Sequence, residues 1–292
     1  MTQTRREMLA GTTSAIAGLA MAAKVKQALA AGGADWVKVG MCDWSMQRTD
    51  LRAFDRAKKI GLDGVEVSIG SVKNDLWLRR PEVQKKYLDA AKRHGMEMPS
   101  MAMGLLNGVP LVSDPRAPGW VADTIAVAPK LGAKVVLLAF FGKGKLTYDD
   151  KRERAKLISI LKDLAPKAEK AGVILGLENL LSAEQNLAVI DQVGSKHLQV
   201  YYDVWNAAGQ KYDVVKEIKQ MGKAQICQVH FKEGRDLLGG SGKVDWAAVA
   251  GALNEIGYRG WLILETSSPS RDVVKDTRKN LQYLKRLFGG SA

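Results

Sequence analysis

Eight apolar runs of strand length recur along the chain, at residues 37–44, 64–70, 97–104, 133–141, 173–180, 198–205, 226–233 and 261–267. Their starts lie about 25 to 40 residues apart, the size of a strand with its crossover helix. The stretches between them carry apolar residues at helical spacing. Leu51, Phe54, Ala57 and Ile60 precede Gly61; Val83, Tyr87, Leu88 and Ala91 precede Gly95; Leu157, Ile160, Leu161, Leu164 and Ala168 precede Gly172. Asp245 caps a further helix through Trp246, Val249, Leu253 and Ile256 to Gly257. The repeating phrase is helix, glycine, one or two residues, strand. Eight such units with no long polar linker predict a single-domain α/β fold, a (β/α)8 TIM barrel over residues 31–292. A chain of 292 residues, 46% of them apolar, can bury that core. A doubly wound open sheet is the alternative. It would carry a Gly-rich phosphate turn after its first strand, where this chain has Cys42-Asp43-Trp44-Ser45.

In a barrel the chemistry sits at the C-terminal ends of the strands. The last four runs each end on a metal-competent side chain: Glu178, Asp203, His230 and Glu265. A buried strand has no structural use for an unpaired carboxylate, which costs several kcal/mol to bury. Neighbouring strands lie about 4.8 Å apart, so four consecutive strand ends can converge on one ion. Three carboxylates and a neutral imidazole suit one divalent cation of the Mn, Mg, Co or Zn type, and the lack of a thiolate argues against a structural zinc site. His94 and His197 precede their strands and belong to the opposite rim, which usually serves stability. Cys42 and Cys227 fall in different strands with no C-x-x-C spacing, so they read as two buried thiols rather than a disulfide framework.

The formal net charge of +13 raises the question of nucleic acid. The basic residues are scattered over predicted helices, as in Lys58-Lys59, Lys85-Lys86 and Lys216 with Lys219, and form no groove-like cluster. No nucleic-acid partner is expected; a basic field can still steer anionic substrates. At the N-terminus, Thr4-Arg5-Arg6-Glu7-Met8-Leu9 precedes an uncharged Ala/Gly-rich run over 9–23, and Ala28-Leu29-Ala30 offers small residues at a cleavage site. This resembles a twin-arginine (Tat) signal peptide over residues 1–30. It predicts a chain handed to the Tat export machinery and periplasmic or otherwise exported. The run is too short and too rich in Gly and Ala for a membrane span.

Several stretches resemble the sugar phosphate isomerase/epimerase family with the xylose-isomerase-like barrel. They are Gly176-Leu-Glu178-Asn, Tyr202-Asp203-Val-Trp-Asn206, Val229-His230-Phe-Lys232-Glu233, Leu264-Glu265, Gly242-Lys-Val-Asp-Trp246 and Gly64-Val-Glu66. The similarity runs over roughly 35–288. It implies that Glu178, Asp203, His230 and Glu265 hold one divalent metal, and that Glu178 and Glu265 act as an acid/base pair on opposite faces of a sugar. One Glu removes a carbon-bound proton to give an enediolate and a proton returns on the other face or the adjacent carbon, giving epimerisation or isomerisation. Expulsion of a β leaving group would make the same site a lyase on 3-keto sugars or keto-glycosides. A sugar-binding barrel without catalysis is a further reading, and an apurinic endonuclease would need more strand-end histidines than the chain has.

The resemblance also implies that Glu66 ends near the substrate. Ketose 3-epimerases of the family usually carry His three residues after the strand-six Asp; here that position is Asn206, which can bind a hydroxyl but cannot carry a proton near neutral pH. Lys232 and Arg235 are placed to meet substrate hydroxyls or an anionic group, and Trp44, Trp77 and Trp205 are candidate sugar platforms. Barrels of this kind often form homo-oligomers, and no sequence feature marks the interface.

Overall fold

The computed structural model describes residues 37–289; the twin-arginine segment and the Ala30 site lie outside them. Eight strands, β1 (Val39–Cys42), β2 (Gly64–Ser68), β3 (Ser100–Met103), β4 (Val135–Ala139), β5 (Ile174–Glu178), β6 (Leu198–Asp203), β7 (Ile226–Phe231) and β8 (Leu262–Leu264), pair in parallel in chain order. β8 closes on β1 through Val39–Leu262, Gly40–Ile263 and Met41–Leu264. The predicted barrel is therefore the observed one.

The alternation of side chains explains why these strands read as unbroken apolar runs. Val136, Leu138, Leu175, Leu177, Val229 and Phe231 point outward and pack beneath the helices. Cys42, Ala102, Leu137, Ala139, Tyr201 and Ile263 point inward and fill the barrel. Both faces are buried, as parallel strands under a ring of helices require. The runs seen in sequence overshoot every strand at its C-terminal end. Residues 261–267 shrink to β8 at Leu262–Leu264, because the polar Glu265-Thr266-Ser267 lies past the ladder.

The outer ring comprises α1 (Arg52–Ile60), α2 (Pro81–His94), α3 (Ala117–Val127), α4 (Lys151–Ala171), α5 (Ala183–Val193), α6 (Val204–Gly209), α7 (Val214–Gln225), α8 (Trp246–Glu255) and α9 (Val273–Leu287). The punctuating glycines are their stops. Gly61 (φ 95°) and Gly172 (φ 64°) adopt the left-handed conformation and return their N–H groups to the last turn, on Ala57 O and Ala168 O. Asp245 does cap its helix, accepting from the Ala248 N–H at 3.0 Å. One helix face differs from expectation. Leu88 is 40% exposed, and α2 instead turns Tyr87, Ala90 and Ala91 inward. Among the described residues no helix is long and apolar enough to cross a membrane.

The lower rim holds the two histidines assigned there. His94 Nε2 lies 2.9 Å from Asp55 Oδ1, and His197 Nδ1 lies 2.7 Å from Val173 O. The first joins the end of α2 to α1, and the second ties the connection before β6 to the residue before β5.

Candidate active site

β5 to β8 have the same inward parity. Gly176 and Glu178, Tyr201 and Asp203, Gln228 and His230, and Ile263 and Glu265 succeed one another by two residues. Glu178 and Asp203 are the last residues of their strands, His230 the last but one, and Glu265 directly follows β8. One ligand atom from each of the four comes within 4.8 Å of all the others. His230 Nδ1 lies at the centre: 3.0 Å from Glu178 Oε1, 3.4 Å from Glu265 Oε2 and 3.8 Å from Asp203 Oδ2.

Asp203 divides its two oxygens. Oδ1 caps α6 by accepting from the Asn206 N–H at 2.8 Å, as an N-cap aspartate does. Oδ2 is buried and lacks a hydrogen-bond partner, although Lys232 Nζ stands 2.8 Å away as an ion pair. The same ammonium lies 2.7 Å from Glu265 Oε2, and Trp44 Nε1–H donates to Glu265 Oε1 at 3.0 Å. Three carboxylates and a ring nitrogen converge on a point with no thiolate among them. That donor set fits a divalent cation of the Mn, Mg, Co or Zn type.

The site's charges are distributed unevenly. Burial pushes Glu178 up to about 7, against the lowering pull of His230. Asp203 is raised by burial as well, with Lys232 opposing. Glu265 is buried too, yet His230 and Lys232 prevail and hold it below the usual range. Burial works against the His230 imidazolium, but the negative charge around it, Glu178 and Glu265 included, holds its pKa well above the ordinary value.

A cleft of about 390 Å³ opens above this cluster. Glu178, Glu265, Lys232, Asn206 and Trp44 form its polar side, and Ala102, Leu137, Ala139, Leu105 and Phe141 its apolar side. Ser68 and Asn107 complete the wall. Asn107 Oδ1 accepts from the Phe141 N–H at 2.9 Å, fastening the loop after β3 to the end of β4. Sequence reasoning missed Ser68, Asn107 and Phe141, because they carry no ionisable group; their position at or just past strand ends was the available signal. It also missed Asp43. This buried carboxylate accepts from Ser68 N–H (2.8 Å) and Oγ–H (2.6 Å), and burial pushes it up to about 7.

Three expectations need correction. Glu66 does not reach the cleft. It is fully buried inside the barrel, behind His230, whose Nε2 lies 3.4 Å from Glu66 Oε1. Arg235 is exposed and lies outside the cleft wall. The chain turns away after Lys232 because the next residue, Glu233, is drawn inward. Its carboxylate accepts from Trp246 Nε1–H (2.8 Å), Ser241 N–H (3.0 Å), Ser241 Oγ–H (2.5 Å) and Gly239 N–H. Of the three tryptophans only Trp44 lines the cleft; Trp77 packs edge-on against Tyr87, and Trp205 lies under Lys243.

Known proteins share this architecture. The family described as "Xylose isomerase-like TIM barrel" matches residues 54–287. D-psicose 3-epimerase of Enterocloster bolteae is 23% identical over 252 residues, 79% of this chain and 79% of that protein. Among solved structures, D-psicose 3-epimerase of Clostridium cellulolyticum H10 with D-tagatose superposes with a TM-score of 0.71 at 18% identity, covering 86% of this chain and 99% of that one. The 3-keto-D-glucoside 4-epimerase of E. coli gives 0.70 at 16% identity, over 86% and 99% of the two chains.

Proposed function

Since the chain belongs to the xylose isomerase-like TIM-barrel family and is an enzyme of the isomerase/epimerase type, we propose that it is an exported, divalent-metal-dependent sugar isomerase or epimerase. The observation that carries the metal is the convergence of one ligand atom each from Glu178, Asp203, His230 and Glu265 within 4.8 Å of one another at the ends of four consecutive strands. When bound there, a divalent ion would polarise a carbonyl and its neighbouring hydroxyl and so acidify the carbon-bound proton between them.

The protein's own residues divide the remaining work. Glu265, held ionised by Lys232 and the Trp44 indole, is the base that removes the proton. Glu178, the other carboxyl lining the cleft, is the group placed to return a proton. Asn206 and Lys232 reach the cleft and donate to substrate oxygens; Trp44 offers a ring face beside them. The apolar wall of Leu137, Ala139 and Phe141 keeps water from the opposite side.

That wall also favours a second reading, elimination from a 3-keto glycoside, because an aglycone fits apolar surface better than sugar hydroxyls do. Proton exchange separates the two. The protein would be loaded with Mg or Mn and incubated in D2O with ketoses, 3-keto sugars and 3-keto glycosides, then examined by NMR after chelation of the ion. Deuterium uptake at one carbon, absent in the Glu178→Gln/Glu265→Gln variant, is the expected result, and the product spectrum distinguishes epimer, isomer and eliminated fragment. No exchange with an ion bound would overturn the reading. Export rests on the Arg5-Arg6 segment and is tested by fractionating cells that express the full chain and its Arg5→Lys/Arg6→Lys variant.

A further inference from the structure

Among the buried carboxyl groups that the mechanism leaves unused, Glu66 is the one that touches a proposed metal ligand. Glu66 is fully buried on β2, level with Cys42 of β1 in the sheet register, and its carboxylate meets donors on every side. Oε2 accepts from Ser100 Oγ–H at 2.5 Å and from the Tyr201 hydroxyl at 2.5 Å. Oε1 faces the Cys42 thiol at 3.8 Å and His230 Nε2 at 3.4 Å. The Tyr201 ring also packs against the imidazole, with centroids 4.4 Å apart. Ser100, Tyr201, Cys42 and His230 are all buried, so nothing in the cluster can be replaced by bulk water.

We propose that Glu66 is the positioning residue of the site: it holds the His230 proton on Nε2, so that the Nδ1 lone pair faces Glu178, Asp203 and Glu265 and can ligate the divalent ion; this rests on the metal reading above. A neutral imidazole carries one proton. If that proton sat on Nδ1, the nitrogen at the centre of the ligand cluster would be a donor and useless to a cation. The acceptors behind the ring are Glu66 Oε1 and Cys42 Sγ, the latter 3.4 Å from Nε2. Ser100 and Tyr201 fix the Glu66 carboxylate by its other oxygen, which leaves Oε1 to the ring and the Cys42 thiol. Backing a metal-bound imidazole with a carboxylate both sets its tautomer and raises its basicity.

Glu66→Gln tests this. An amide has one acceptor oxygen where the carboxylate has two, so either the Ser100 and Tyr201 donors or the imidazole N–H loses its acceptor. Tyr201→Phe is the milder companion, removing one hydroxyl while keeping the ring against His230. Mn affinity and stoichiometry are read by titration calorimetry, and the His230 tautomer by long-range 1H–15N correlation in the Mg-loaded protein. The expected results are one ion per chain, the Nε2–H tautomer in the wild type, affinity about 10- to 100-fold weaker in Glu66→Gln, and a smaller loss in Tyr201→Phe. Affinity within twofold of wild type in both variants, or an Nδ1–H ring, overturns the proposal while leaving the metal site standing. If Glu66→Gln does not fold, unchanged affinity in folded Tyr201→Phe overturns it. Two ions in the wild type and one in Cys42→Ser would also overturn it, making Cys42, Glu66 and His230 an ion site of their own. A wild type that binds no ion overturns this proposal and the metal reading together.

Discussion

The raised pKa of Glu178 turns into a stability measurement on the metal-free protein. Its carboxyl titrates near 4.3 in an unfolded chain and is pushed by burial up to about 7 in the folded one. Between those values the native state holds a proton that the unfolded state has released. Stability from this group is therefore fully present below the unfolded pKa and is lost as pH rises through the folded value. From pH 5.5 to 8, at 1.36 kcal/mol per pH unit of differential ionisation, the loss comes to about 2 kcal/mol. His230, raised by the same cluster, acts in the same direction, because its native proton is also lost at higher pH than its unfolded one. Glu178→Gln mimics the neutral carboxyl and removes the titration. Equilibrium urea unfolding in the presence of EDTA should show the wild type losing at least about 2 kcal/mol more than Glu178→Gln over that interval. Saturating Mg should abolish the difference in slope, because the ion binds the native state and requires the ligand deprotonated. Parallel pH profiles for the two metal-free proteins would refute the reasoning. They would mean that the His230 charge, 3.0 Å away, already keeps Glu178 ionised in the fold.

Other perturbations address separate parts of the site. Asp203→Asn keeps an N-cap for α6, since Asn caps as well as Asp, but replaces the oxygen that faces the other ligands; circular dichroism should be unchanged while Mn affinity by calorimetry falls by at least about 100-fold. Trp44→Phe removes a hydrogen bond that helps hold Glu265 below the usual range, so the acid limb of the proton-exchange rate should move to higher pH; an unmoved limb would remove Glu265 from the role of base. Glu233→Ala strips the acceptor from the Trp246 indole, the Ser241 N–H and hydroxyl and the Gly239 N–H, and should cost about 3 kcal/mol or more in urea unfolding; a cost below about 1 kcal/mol would mean that water replaces it.

The fold was legible because it rests on a pattern that repeats: apolar runs buried on both faces, and helices ended by glycines such as Gly61 and Gly172 whose positive φ excludes most other residues. The half of the site on β5 to β8 was legible for a related reason. Glu178, Asp203, His230 and Glu265 are ionisable residues at matched ends of apolar strands, where only chemistry accounts for them. On the β1 to β4 side only Trp44 was legible, because Ser68, Asn107 and Phe141 are ordinary residues made functional by position alone. Glu66 was misplaced by depth. It lies two residues before Ser68, the end of β2, and so one layer further into the barrel than the rim. Arg235 was misplaced because no ladder governs the chain after β7; the inward pull on Glu233 does.

That difference in depth accounts for how the barrel divides its chemistry. The upper layer, at the ends of β5 to β8, holds anions that a divalent ion can gather, against a wall made apolar by Leu137, Ala139 and Phe141. Low polarity on that wall strengthens every charge interaction opposite it, including the repulsion among three carboxylates that, in the protein alone, only the Lys232 ammonium and the His230 ring are placed to offset among the described residues. The layer below answers with hydrogen bonds instead of charge. Ser100 and Tyr201 fix Glu66, and Glu66 fixes the far side of His230. His230 is thus the only one of the four ligands held from beneath, and the only one whose usefulness depends on which atom carries its proton. A rigid interior layer serves that requirement better than the mobile groups of a rim could, which is why a carboxylate is tolerated at the centre of the barrel, where Ser100 and Tyr201 supply its hydrogen bonds.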